Sequence, residues 1–135
     1  MNYCIKALIT SDKNAAIEIK QSNISFGIGL TTESELPNPA ELFLGSLAAC
    51  ILKNIQRFSS MMKFTYSKAI IEVNGTRIEN LPRIDNITYK VTIYSNDKKL
   101  NLALLKKNIE KFGTIYNTVK LSCSISGTIN SVNNV

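Results

Sequence analysis

The 135-residue chain is long enough for one domain, and its 44% hydrophobic content is globular, which excludes a disordered chain. It has neither His nor Trp, so Cys-His and Ser-His dyads, imidazole bases and imidazole metal ligands are all excluded. The formal net charge of +6 comes from scattered lysines, as on a solvated surface; with no aromatic-basic RNA motif and no zinc-finger spacing, nucleic-acid binding has only net charge behind it.

Taken in chain order, Tyr3 to Thr10 is apolar and β-rich, Ser11 to Asn14 is a turn cluster, and Ala15 to Lys20 alternates, which together predict a β-hairpin. A third short strand is expected over Ile24 to Ile28, followed by a polar loop from Thr31 to Pro37. The strongest helix follows. Asn38 suits the N-cap, Pro39 the first helical position, and Glu41 falls three residues after Asn38, as in a capping box. The helix is expected to reach about Met62. Its first half is apolar nearly all round, which predicts burial on all sides and a second subunit to complete it.

Tyr66 to Val73 reads as a strand ending at an Asn74-Gly75 turn, and Ile84 to Tyr94 as another after a Leu81-Pro82 loop. Ser95-Asn96-Asp97 can cap a second helix from Lys98 to Phe112, with Gly113 as its C-cap. Leu121 to Ile129 alternates as a final strand, and Asn130 to Val135 is expected to be a loose tail. The order is β-β-β-α-β-β-α-β, an α+β class, in a single domain over residues 1–135.

Cys4, Cys50 and Cys123 are an odd set whose spacing fits neither a disulfide framework nor a zinc site, and no metal or cofactor is expected. The N-terminus lacks the pattern of a signal peptide. The longest apolar run, Leu42 to Leu52, is too short to cross a bilayer, so no membrane partner is expected and a reducing cytoplasm is the simplest location.

The segment Pro39-Ala40-Glu41-Leu42, with Leu44, Leu47-Ala48 and Cys50, resembles the pattern Pro-x-Glu-Leu-Leu-Leu-x-x-Leu-Ala-x-Cys of the OsmC/Ohr family of thiol-dependent hydroperoxide reductases. The order of elements agrees over nearly the whole chain. The resemblance implies an intertwined homodimer, with sheets shared between subunits around long buried central helices. It also implies a reactive cysteine in the central helix that attacks a peroxide O–O bond, and a second cysteine just after the second helix that resolves the sulfenic acid.

By position Cys50 matches the attacking thiol. The second cysteine, in a Cys-Pro context, is replaced by Gly113 and Thr114. The organic-hydroperoxide branch also has Glu directly after the motif Pro and an upstream Arg; here that position is Ala40, and no Arg precedes Arg57. Glu41 matches the next acidic or amide position; it lies nine residues before Cys50, hence on the opposite side of the helix, where it would act at a site shared with the other subunit or simply cap the helix. Lys53 and Asn54, one turn beyond Cys50, are candidate partners of its thiolate.

Tyr116, Phe26, Phe43 and Phe58 are core residues or the lining of an apolar pocket. Two functions follow from the resemblance. One is hydroperoxide reduction by a lone peroxidatic Cys50 with an external thiol reductant. The other is a non-catalytic scaffold that binds a small hydrophobic ligand at the dimer interface.

Overall fold

The computed structural model describes residues 1–134. The chain forms two compact units, Met1–Phe43 and Leu44–Val135.

In the first unit, β1 (Lys6–Thr10), β2 (Asn14–Ile19) and β3 (Ser22–Ser25) form an antiparallel sheet in the order β1-β2-β3. Both connections are tight. Asp12 and Lys20 take left-handed φ values of 60° and 54° to turn the chain between strands. The sheet leaves much apolar surface in the open: Leu8 and Ile9 on β1 point to opposite faces and are 45% and 64% exposed.

The helix α1 (Pro39–Met62) starts as the sequence predicts. The Asn38 N–H donates to Glu41 Oε1 at 3.0 Å, and the Glu41 N–H donates to Asn38 Oδ1 at 2.8 Å, so two of the unpaired donors of the helix start are satisfied reciprocally. At its other end Lys63 enters the left-handed region, φ 57°, and the Phe64 N–H donates to Ser59 O at 3.0 Å. This is a Schellman stop made with Lys in place of the usual Gly, held by the buried Phe64 ring.

In the second unit β4 (Lys68–Ile78), β5 (Arg83–Tyr94) and β6 (Ile125–Val132) form a sheet in the order β4-β5-β6. The first pair is antiparallel and the second parallel. The parallel pair needs a crossover, supplied by α2 (Leu102–Phe112) and α3 (Thr114–Val119). Ile87, Tyr89, Val91 and Ile93 alternate on the inner face of β5. They form one hydrophobic cluster with Leu47, Ile51, Ile55 and Phe58 of α1 and Leu105 and Ile109 of α2. Burying each of these aliphatic side chains stabilises the fold by about 1.5–3 kcal/mol relative to exposure.

Several sequence expectations need correction. Asn74-Gly75 is no turn, because β4 runs through it with a register shift between Asn74 and Thr76. Gly75 allows close approach there, since a Cβ would lie 3.1 Å from Ile84 Cγ2. The second helix begins at Leu102, not Lys98. Asp97 is held in a turn by the N–H groups of Thr65 and Lys99, and Asn101 takes over as N-cap, its Oδ1 accepting from Leu104 N at 3.0 Å.

The short helix α3 is an addition to the expected order. Cys4 and Cys123 fall just outside the strands in which they were expected. Nor is the C-terminal segment loose as far as it is described: Ser95 N donates to Val132 O, and Asn134 bonds to Ser67 and Asn96. Val135 lies outside the described residues.

Tyr89 and Gly127 are cross-strand partners between β5 and β6, and a Cβ on Gly127 would overlap the Tyr89 ring, 2.3 Å from Cδ1. Gly127→Ala should therefore cost about 3 kcal/mol of unfolding free energy by urea denaturation. The penalty should shrink in a Tyr89→Leu background, because the double-mutant cycle removes the overlapping ring. An equal penalty in both backgrounds would refute this packing.

Candidate functional site

Cys50 sits about midway along α1 and is partly buried. Its position three residues after the buried Leu47 and one before the buried Ile51 keeps the thiol beside the packed face of the helix. One turn further on, Asn54 is only 9% exposed. Its Nδ2 donates to Cys50 O at 2.9 Å and to Cys50 Sγ at 3.6 Å. Lys53, the other candidate partner, is exposed, and no hydrogen bond or ion pair joins it to the sulfur.

Across from the thiol is Gly113, which closes α2 and opens α3. A Cβ placed on it would lie 3.4 Å from Cys50 Sγ, 3.1 Å from Tyr116 Cβ and 2.9 Å from Ile109 O. Gly113 is the C-cap expected, but in extended backbone, φ −73° and ψ 118°. Glycine is placed here by crowding against the last turn of α2 and not by a left-handed conformation. Gly113, where the sequence resemblance leads one to expect a second cysteine, is thus adjacent to the Cys50 sulfur.

Behind Gly113 is a polar cluster that the sequence reading missed. The Tyr89 hydroxyl donates to Glu110 Oε2 at 2.6 Å, and Lys106 Nζ lies 3.5 Å from the same oxygen. Burial, reinforced by the Glu110 carboxylate, raises the Tyr89 phenol far above its ordinary value. Burial and then Glu110 push Tyr116 up to about 12. Both phenols are therefore neutral hydrogen-bond donors at physiological pH. The available signal was Glu110 itself, the only acid on a helix otherwise rich in lysine, four residues after Lys106.

Glu41 belongs to the first unit and Cys50 to the second. The Glu41 carboxylate accepts the Asn38 N–H in the capping box, which is its structural reading. Of the aromatic candidates, Tyr116 and Phe58 are in the core of the second unit, Phe58 lying 6.0 Å from Phe112 between ring centroids. Phe26 is partly buried and Phe43 exposed. Cys4 is exposed, while the Cys123 thiol is partly buried and donates to Ile84 O at 3.2 Å.

Among the described residues no group of three or more His, Cys, Asp or Glu is placed to hold a metal ion, and no helix is long and apolar enough to cross a membrane. A shallow depression of about 120 Å³ lies on outward-facing residues of the second sheet, among them Glu72, Lys90 and Tyr94, and does not include the thiol.

The fold is similar to several solved structures. An OsmC-like protein from Mycoplasma pneumoniae superposes with a TM-score of 0.84 at 19% identity, covering 100% of this chain and 99% of that one. An organic hydroperoxide resistance protein from Elizabethkingia anophelis, crystallised with thiocyanate, gives 0.68 at 15% identity, covering 99% of each chain. The organic hydroperoxide resistance protein OsmC from Legionella pneumophila gives 0.66 at 16% identity, covering 96% and 98%. No curated protein matches the sequence. The family model for OsmC-like proteins matches residues 32–131, which include α1 with Cys50, both later helices and nearly all of the second sheet, and the chain belongs to that family.

Proposed function

We propose that this protein reduces organic hydroperoxides with Cys50 as its only peroxidatic thiol. The reading is carried by one observation: Cys50 Sγ faces Gly113, the residue that stands where the family has its second cysteine. The similarity in fold to hydroperoxide resistance proteins supports the substrate class.

In the proposed reaction the Cys50 thiolate attacks one oxygen of ROOH. The S–O bond forms as the O–O bond breaks, the sulfur gives up two electrons, and the departing alkoxide takes a proton to become ROH. The resulting Cys50 sulfenic acid cannot be resolved from position 113, where there is no side chain. Cys123 is engaged with the Ile84 carbonyl. An external thiol therefore condenses with the sulfenic acid and releases water. A second thiol then displaces Cys50 and leaves as the oxidised disulfide.

The same proposal includes a homodimer in the cytoplasm. The exposed apolar residues of β1 and those of α1, Phe43 and Met61 among them, support a covering second subunit. Glu41 is assigned to the start of α1, with any part in a shared site secondary to that role.

Purified protein should consume tert-butyl hydroperoxide in the presence of a dithiol, and Cys50→Ser should lower the rate at least about a hundredfold, as loss of a nucleophile does. Equal rates for the two proteins would refute the peroxidase reading. An apolar ligand bound to Cys50→Ser as tightly as to wild type would then support the scaffold function. In a Cys4→Ser/Cys123→Ser background, Gly113→Cys should form an internal disulfide with Cys50 on peroxide treatment, seen by non-reducing peptide mass mapping. The 3.4 Å approach is close to what a bridge needs, though the Ile109 carbonyl at 2.9 Å must shift and the melting temperature should fall. Failure to crosslink in the folded variant would contradict the assignment of Gly113.

A further inference from the structure

We propose that Asn54 is the positioning residue for the Cys50 sulfur: its side-chain amide holds the thiolate and then the sulfenate oxygen. This rests on the peroxidase reading of Cys50 but concerns a residue outside the motif that identifies the family.

Asn54 is out of place on packing grounds. It lies on the buried face of α1 among Leu47, Ile51, Ile55 and Phe58. Asn is a poor former of helix interiors, and a buried amide is costly unless it is bonded. The Cys50 carbonyl, 2.9 Å from Nδ2, answers the second difficulty and also orients the group. The amide atom facing a carbonyl oxygen must be the nitrogen, so the NH₂ end is toward Cys50 and the oxygen points away. One N–H is thereby anchored on the backbone. The amide's second N–H belongs to the same nitrogen, 3.6 Å from Sγ.

A donor bonded to sulfur favours the anion over the thiol, and bonds to ionised groups are about twice as strong as neutral ones. With the amide anchored through its other N–H, the N–H toward the sulfur does not need to reorganise when charge builds there, or when oxygen is added. Gly113, which faces the sulfur, has no side chain to offer a competing donor.

The test uses full-length protein carrying Cys4→Ser and Cys123→Ser, so that Cys50 is the only thiol, and compares Asn54 with Asn54→Leu and Asn54→Asp. Cys50 alkylation by iodoacetamide should slow about tenfold in Asn54→Leu, as for loss of one bond to a charged group, and further in Asn54→Asp, where an acceptor replaces the donor. The pH profile of alkylation should move upward in both variants. The sulfenate formed with peroxide should be trapped by dimedone in lower yield.

A purely structural Asn54 would give unchanged or faster alkylation with an unmoved profile in the neutral Asn54→Leu, since loosening the core only exposes the thiol; that result overturns the proposal. If Asn54→Leu does not fold, Asn54→Ala, which removes the donor without adding a charge, decides by the same readouts. Because alkylation involves no peroxide, the two readings fail separately. An unmoved profile with Cys50-dependent turnover removes only the role of Asn54. A shifted profile with Cys50-independent turnover removes only the peroxidase.

Discussion

Burial of the Leu47, Ile51, Ile55 and Phe58 stripe of α1 in one cluster with the inner face of β5 sets the position of every group around the thiol. With that stripe packed, rotation of the helix about its axis would expose apolar area at roughly 25 cal/mol per Å². Hydrophobic burial sets which side of the helix carries Cys50 and Asn54, and the Asn54 bond to the Cys50 carbonyl then fixes the amide. The thiol is held by a core, which is a more rigid support than a loop.

The second constraint acts through glycines. Gly113 lets the α2 to α3 connection pass against α1, close enough for a Cβ to meet both the Ile109 carbonyl and the Cys50 sulfur. Gly127 lets the Tyr89 ring lie across β6, and that places the Tyr89 hydroxyl on Glu110. In both places the absent side chain is what brings a functional or polar group to its neighbour. The glycine at position 113 is therefore part of the packing and not an open vacancy beside the thiol.

The helix start was the most legible feature of the fold, because Asn38, Pro39 and Glu41 act through bonds within one turn. The β1-β2 hairpin and β5 were legible for a similar reason: alternation is local. The errors have a common cause. Asn74-Gly75 is a strong turn signal by itself, but pairing with β5 continues past it and turns it into a bulge. Ser95 to Asp97 can cap a helix, but Asp97 is claimed by Thr65, 32 residues away in sequence. In each case a contact distant along the chain outweighed a local preference of a fraction of a kcal/mol to about 1 kcal/mol.

From the residues alone came the central helix, its N-terminal cap, the family motif ending at Cys50, and the fact that glycine stands where a second cysteine is expected. These are properties of residue type and spacing. Only the tertiary structure decided that Gly113 faces the Cys50 sulfur, that Asn54 rather than Lys53 reaches it, and that Tyr89 and Tyr116 share Glu110. Spacing along α1 allows both Lys53 and Asn54. The choice between them depends on which face of the helix is buried, and that is set by packing among α1, α2 and β5.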